Sequence, residues 1–205
     1  MLKTVTNNLL ELHINVLKEI FKGSSFSEIQ SKFTNQFSEL NYLSIAKKNN
    51  LLTFDKNDVL IGAYPVSPLK TSFEVTIENI GTSYCMCAID SLGIGYTFRE
   101  KTTINTVDKS TGKHIQITVD PSTDEVLSEE PYFVTYKDPD KVCNIAQDQC
   151  PVINFYSDKK SIPNDKDLII FSFNEAIKHS KNIFNPEAFK KSFQEGFKAI
   201  AKEDL

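Results

Sequence analysis

Leu9, Leu12, Val16, Leu17, Ile20 and Phe21 recur every three or four residues, so they share one face of a helix that ends near Gly23. Ser25 followed by Glu28 has the form of a capping box and opens a second helix over Phe26 to Phe33. Ser38 opens a third, running through Leu40, Leu43 and Ala46. In the stretch "LLTFDKNDVLIGAYPVS", Asp55 to Asp58 read as a turn between two extended apolar segments. Three helices and a hairpin make a winged-helix-like unit, assigned to residues 1–70. Three-helix units of this kind serve packing and dimerisation as readily as DNA reading, so the pattern alone assigns no role.

The periodicity changes from Phe73 onward. "FEVTIENI", "KTTINTVD", "KHIQITVDP", "PYFVTYKD" and "VINFYS" are β-branched or aromatic runs that partly alternate and are separated by turn residues. "DKSTGK" places Gly112 where a tight turn calls for positive φ, which predicts a hairpin over Thr102 to Val119. Helical spacing returns over Phe171 to Phe184 and Pro186 to Ala201, with Asn185 as N-cap and Pro186 in the first helical position. The expected fold class is α+β: the winged-helix-like three-helix unit, then a mostly antiparallel β core with C-terminal helices over residues 71–205.

Composition narrows the function. With 205 residues, 40% of them hydrophobic, the chain has material for a packed core. A net charge of −4, and only Lys47 and Lys48 on the third helix, argue against nucleic acid as a partner. No apolar run approaches the roughly 18 to 20 residues of a membrane span, and Glu11, Lys18 and Glu19 interrupt the N-terminal apolar pattern. The expectation is a cytoplasmic protein without membrane contact, in a compartment that keeps thiols reduced. His13, His114 and His179 are scattered and read as structural or surface residues. Neither a phosphate-cradling Gly-rich loop nor a nucleophile elbow occurs.

Sulfur and carboxylate remain. Cys85 and Cys87 form a C-x-C pair, and Cys143 and Cys150 a wider one with six intervening residues. Four thiolates can close a structural zinc site, although six intervening residues exceed the usual two to four. Buried cysteines can equally be small hydrophobes. If Cys87 to Asp90 form one helical turn, thiol and carboxyl share a face; alternatively Asp90 caps a helix beginning at Ser91. The residues alone leave both arrangements open.

"YCMCAIDSLGI" resembles the aromatic-then-Cys-Ala-Leu-Asp segment of the organomercurial (alkylmercury) lyases, with Cys87, Ala88, Ile89 and Asp90 in the motif positions. "FDKNDVLIGAYPVS" resembles that family's turn and strand before the core, and "TINTVDKSTGKHIQITVDP" its central hairpin. "QCPVINFYSD" is similar to the segment bearing the second essential cysteine, here Cys150, and "SFNEAIKHSKNIFN" to the C-terminal helix. The order and spacing of these motifs are more specific than any one of them. Met86 stands where the family often has an aromatic residue, and Asp108 where some members carry a further cysteine.

The resemblance implies protonolysis of a carbon–mercury bond to a hydrocarbon and Hg(II). Cys87 and Cys150 would bind the organomercurial, a small-molecule substrate, and Asp90 would carry the proton and lie against the metal. It implies no tightly bound cofactor, with small thiols or a mercuric reductase removing Hg(II). Cys85 and Cys143 are expected to be structural or incidental, and Met86 to pack in the core. The competing readings are a soft-metal-responsive winged-helix regulator, a structural zinc protein, and a family relative acting on another organometal.

Overall fold

The structure, a computed structural model, describes residues 2–54, 57, 60–67, 69–138 and 148–203. Six helices and ten strands are seen among them, and every strand pairing is antiparallel. The α+β class expected from the alternation of periods is what the chain adopts.

The N-terminal helices are α1 (Leu2–Phe21), α2 (Phe26–Glu39) and α3 (Tyr42–Lys48), followed by the paired strands β1 (Leu52–Phe54) and β2 (Leu60–Ala63). The Ser25–Glu28 capping box forms as expected. The second helix does not stop at Phe33. Ile29, Phe33 and Phe37 continue one buried face, so nothing breaks the helix, and the Ser38 hydroxyl donates to the Thr34 carbonyl instead of capping. The third helix starts later, after Asn41 in the left-handed region. The expected Asp55 to Asp58 turn lies, apart from Asn57, outside the described residues.

The core begins with β3 (Glu74–Ile77) and β4 (Gly81–Tyr84), then α4 (Ala88–Phe98), β5 (Thr102–Val107), β6 (His114–Asp120) and β7 (Glu125–Ser128). These strands form one five-stranded sheet in the order β4-β3-β5-β6-β7. The predicted hairpin is present, and Gly112 turns it at φ 72. Thr102, Ile104 and Thr106 of β5 and Ile115, Ile117 and Val119 of β6 point inward, while the residues between them face outward. A second sheet follows with β8 (Phe133–Lys137) between β9 (Phe155–Tyr156) and β10 (Leu168–Ser172). The chain closes with α5 (Phe173–Phe184), capped by a Ser172–Glu175 box, and α6 (Pro186–Glu203). Asn185 accepts the Ala188 amide and so caps α6 as expected. The segment from Phe171, read as helix, gives its first two residues to β10, where Phe171 pairs with Val134 and Ser172 with Phe133.

Two features position the site. Every residue of α4 from Ala88 to Thr97 is buried, as expected of a helix with little polar face. It packs against β3, β5 and β6 and against α5. Secondly, α6 packs on α1 and α3, with the rings of Phe189 and Phe193 5.4 and 5.8 Å from that of His13. One continuous cluster of buried side chains therefore crosses residue 70, between β2 and β3.

Candidate active site

Three residues past the end of β4, Cys87 is extended and forms the N-cap of α4, its sulfur accepting the Asp90 amide N–H at 3.5 Å. N-caps are normally oxygen side chains. A sulfur there sits at the positive end of the helix dipole, where thiolate is favoured. Asp90 is therefore the third helical residue and shares its turn with Cys87. The alternative of a helix capped by Asp90 and starting at Ser91 is overturned: the Ser91 amide already donates to the Cys87 carbonyl at 3.0 Å, inside the first turn.

Cys150 opens a single 3-10 turn, Cys150–Val152, closed by the Ile153 amide on the Cys150 carbonyl. Buried polar side chains fasten this turn. The Thr135 hydroxyl of β8 donates to the Val152 carbonyl at 2.5 Å, and the Asn154 side-chain amide donates to the Pro151 carbonyl at 3.0 Å. The Ala88 amide donates to the Ile153 carbonyl at 3.2 Å, joining the start of α4 directly to the end of the turn. Two segments more than sixty residues apart in sequence thus meet through their backbones, which sets the distance between the sulfurs.

The ligand atoms of Cys87, Asp90 and Cys150 lie within 4.8 Å of one another, the one such group of His, Cys, Asp and Glu side chains among the described residues. The three are 1%, 1% and 5% exposed. The Cys150 thiol faces Oδ2 of Asp90 at 4.0 Å, and the Tyr64 hydroxyl donates to Oδ1 at 2.8 Å. Cys85 is buried beside them, bridged to Val66 through the backbone, and stands outside the group. Among the described residues the group holds two thiols and a carboxylate, not the four thiolates of the zinc reading. Cys143 lies outside the described residues. Met86 packs against the core, partly buried.

Burial governs the proton affinities. It raises Asp90 to about 7, while the Tyr64 hydroxyl and the contacts with Cys87 pull the other way. Burial also pushes the Cys87 thiol up, with the Cys150 sulfur and the Asp90 charge adding to it. Both thiol and acid can therefore hold protons near neutrality, and the acid can release one. Burial likewise raises the Tyr64 phenol well above its ordinary value, so Tyr64 acts as a hydrogen-bond donor.

Tyr64, Thr135 and Asn154 carry no chemical signature in the sequence. Tyr64 sits in the quoted "GAYPVS" stretch, between two strands, where nothing in periodicity distinguishes it from a packing aromatic. Thr135 lies in a strand rich in β-branched residues, as threonine commonly does. His13, read as structural or surface, is fully buried in α1. Its Nε2–H donates to the Tyr64 carbonyl at 3.1 Å, which leaves Nδ1 to accept from the Tyr42 hydroxyl at 2.7 Å. Burial lowers its pKa to about 4, so the ring is neutral.

Comparison with known proteins bears on the fold and the family. The crystal structure of the mercury-bound form of MerB2 is similar in fold, with a TM-score of 0.59 at 17% identity, covering 91% of this chain and 99% of that one. No curated protein matches the chain. A family model described as alkylmercury lyase (MerB) matches residues 66–184, more than half of the chain and inclusive of Cys87, Asp90 and Cys150. The chain therefore belongs to the alkylmercury lyase family, enzymes that break carbon–mercury bonds.

Proposed function

We propose that this lyase works through Cys87 and Cys150 as mercury ligands and Asp90 as the carrier of the proton delivered to carbon. The observation that carries this reading is the convergence of two buried sulfurs and one buried carboxyl within 4.8 Å. Mercury is a soft cation, for which thiolates are the preferred ligands. The first thiol exchanges its proton for the organomercurial, forming one mercury–sulfur bond, while the displaced anion and that proton leave to solvent. The second sulfur then binds. Its proton passes to the Asp90 carboxylate, and the rising coordination number weakens the bond from mercury to carbon.

Asp90 next protonates the carbon as that bond breaks, and the bonding electron pair becomes the new carbon–hydrogen bond. A free carbanion would be a very poor leaving group, so the acid must lie within reach of the carbon as cleavage proceeds. Two sulfur–hydrogen bonds, the mercury–carbon bond and the mercury–anion bond are lost. Two mercury–sulfur bonds and one carbon–hydrogen bond form, and Asp90 returns to carboxylate. An acid with a pKa near 7 suits both halves of this task.

In this reading no resident cofactor takes part. Small thiols, or a mercuric reductase, accept Hg(II) from the two cysteines, and a reducing cytoplasm keeps those cysteines available. No helix among the described residues is long and apolar enough to cross a membrane. The test is incubation with phenylmercury or methylmercury and excess thiol, with benzene or methane measured in the headspace. Hydrocarbon is expected from the unmodified chain and none from Cys150→Ser. Full activity in that variant, or no hydrocarbon from either substrate with the unmodified chain, would sink the proposal.

A further inference from the structure

The face of α4 that carries Asp90 also carries Gly93 and Thr97, at successive helical turns. Asp90 meets Tyr64, while Gly93 and Thr97 meet Phe184, the ring on which Tyr64 stacks. The Tyr64 hydroxyl donates to Oδ1 of Asp90 at 2.8 Å. The Tyr64 ring stacks on Phe184 at 5.7 Å with an interplanar angle of 28°. Phe184 in turn occupies the space over Gly93, where an added Cβ would come within 1.9 Å of its Cδ2. The Thr97 hydroxyl donates to the Phe184 carbonyl at 2.9 Å, fixing the end of α5 against the same helix. From the other direction, His13 holds the Tyr64 carbonyl at 3.1 Å and is itself held by Tyr42.

We infer that Tyr64 is a positioning residue: by holding Oδ1 of Asp90 it commits Oδ2, the oxygen facing the Cys150 thiol, to carry the proton. An Asp carboxyl free to rotate about its χ2 would present either oxygen to the sulfur and to the carbon. With Oδ1 tied, the same oxygen receives the proton from Cys150 and presents it to the bond being cut. The N-terminal helices thereby acquire a part in the chemistry, because α1 contributes the imidazole and α3 the phenol that hold Tyr64 in place. Neither His13 nor Tyr42 touches the reacting atoms; both act through Tyr64.

The inference rests on Asp90 being the proton carrier proposed above, and it is tested with Tyr64→Phe beside Asp90→Asn. Phenylalanine keeps the ring stacked on Phe184 and removes only the hydroxyl. Single-turnover reactions with phenylmercury separate capture, read as loss of titratable thiols, from cleavage, read as benzene. Tyr64→Phe is expected to capture one equivalent at the unmodified rate and to cleave roughly tenfold to a hundredfold more slowly, the cost of a misplaced reacting group. Its solvent deuterium isotope effect on cleavage is expected to rise, since proton delivery becomes the slower step. A variant whose active fraction had merely fallen would keep the original isotope effect, and that result overturns the inference. So does unmodified cleavage in Tyr64→Phe while Asp90→Asn is dead, an outcome that leaves the proposed chemistry standing. Full cleavage by Asp90→Asn would remove the proton carrier itself, and the inference with it. His13→Gln adds a readout outside the site: slower cleavage with unchanged capture is expected, and unchanged cleavage would overturn the part assigned to the N-terminal helices.

Discussion

Asp90 and Asp108 each show only 1% of their surface to solvent, Asp90 deep in the core and Asp108 just beneath the surface, and their carboxyl groups behave in opposite ways. Burial raises both. At Asp108 the hydrogen bonds more than compensate: Oδ1 accepts the Ser110 amide at 2.8 Å, the Ser110 hydroxyl at 2.6 Å and the Thr111 amide at 2.8 Å. Oδ2 takes the amide and hydroxyl of Ser157 at 2.5 and 2.7 Å. With five donors the group is held well below the ordinary carboxylate range and pins the β5–β6 turn to the end of β9. Asp90 has one strong donor, Tyr64, with the Cys87 and Cys150 thiols as weaker partners, the latter at 4.0 Å. A buried acid left short of donors keeps its proton near neutrality and can give it away, whereas one that is saturated can only hold the chain together.

This contrast can be broken at either end. The largest expected effect is on cleavage in Asp90→Asn, a loss of about a hundredfold to ten-thousandfold with mercurial capture intact, measured as benzene release against thiol titration. Asp108→Asn is expected to lower stability by about 3 to 4 kcal/mol at pH 7, read by urea unfolding, because an amide cannot accept at both positions. A depressed carboxyl contributes stability above its unfolded pKa and loses it as pH falls through its folded value, so this deficit should shrink in strong acid. For Asp90 the sign reverses. Its pKa is raised from 3.8 to about 7, so the fold binds a proton that the unfolded chain has released, and stability falls as pH rises from about 4 to about 7. Asp90→Asn should therefore be more stable than the unmodified chain at pH 8, by on the order of 4 kcal/mol for a shift of about three pKa units, and close to it near pH 4, where both side chains are neutral in the fold. Equal stability at both pH values would show that the acid is not held protonated by its surroundings. The smallest effect belongs to an exposed aspartate. Asp124 meets Lys181 at 2.5 Å on the surface, and Asp124→Asn should change stability by less than about 1 kcal/mol and cleavage not at all.

Much of the molecule was legible because its signals are local. The apolar face of α1, the capping box at Ser25, the turn at Gly112 and the α6 start at Asn185 and Pro186 are each decided within a few residues. The α2 end was misplaced because Ser38 offers the same hydroxyl to a cap and to the carbonyl one turn back, and the buried Phe37 favoured the second. The first two residues of the last helical pattern became β10 because β8 offered them strand partners, a tertiary fact invisible in spacing. At the site, Cys87 and Asp90 were readable as a motif and Cys150 through its own. Their supports were not. Tyr64, His13 and Thr135 act through contacts spanning 17 to 51 residues of sequence, with nothing local to mark them.

Gly93 shows what such support means for the way this chain can vary. Every departure from glycine begins by adding a Cβ, and at position 93 that atom meets the Phe184 ring at 1.9 Å. That ring is stacked on Tyr64, and Tyr64 holds the acid. In a selection for survival on organomercurials, position 93 would score beside Cys87, Asp90 and Cys150 although it contributes no reacting atom. A map of tolerated substitutions would then outline a larger catalytic centre than the chemistry occupies, with a missing side chain as one of its members.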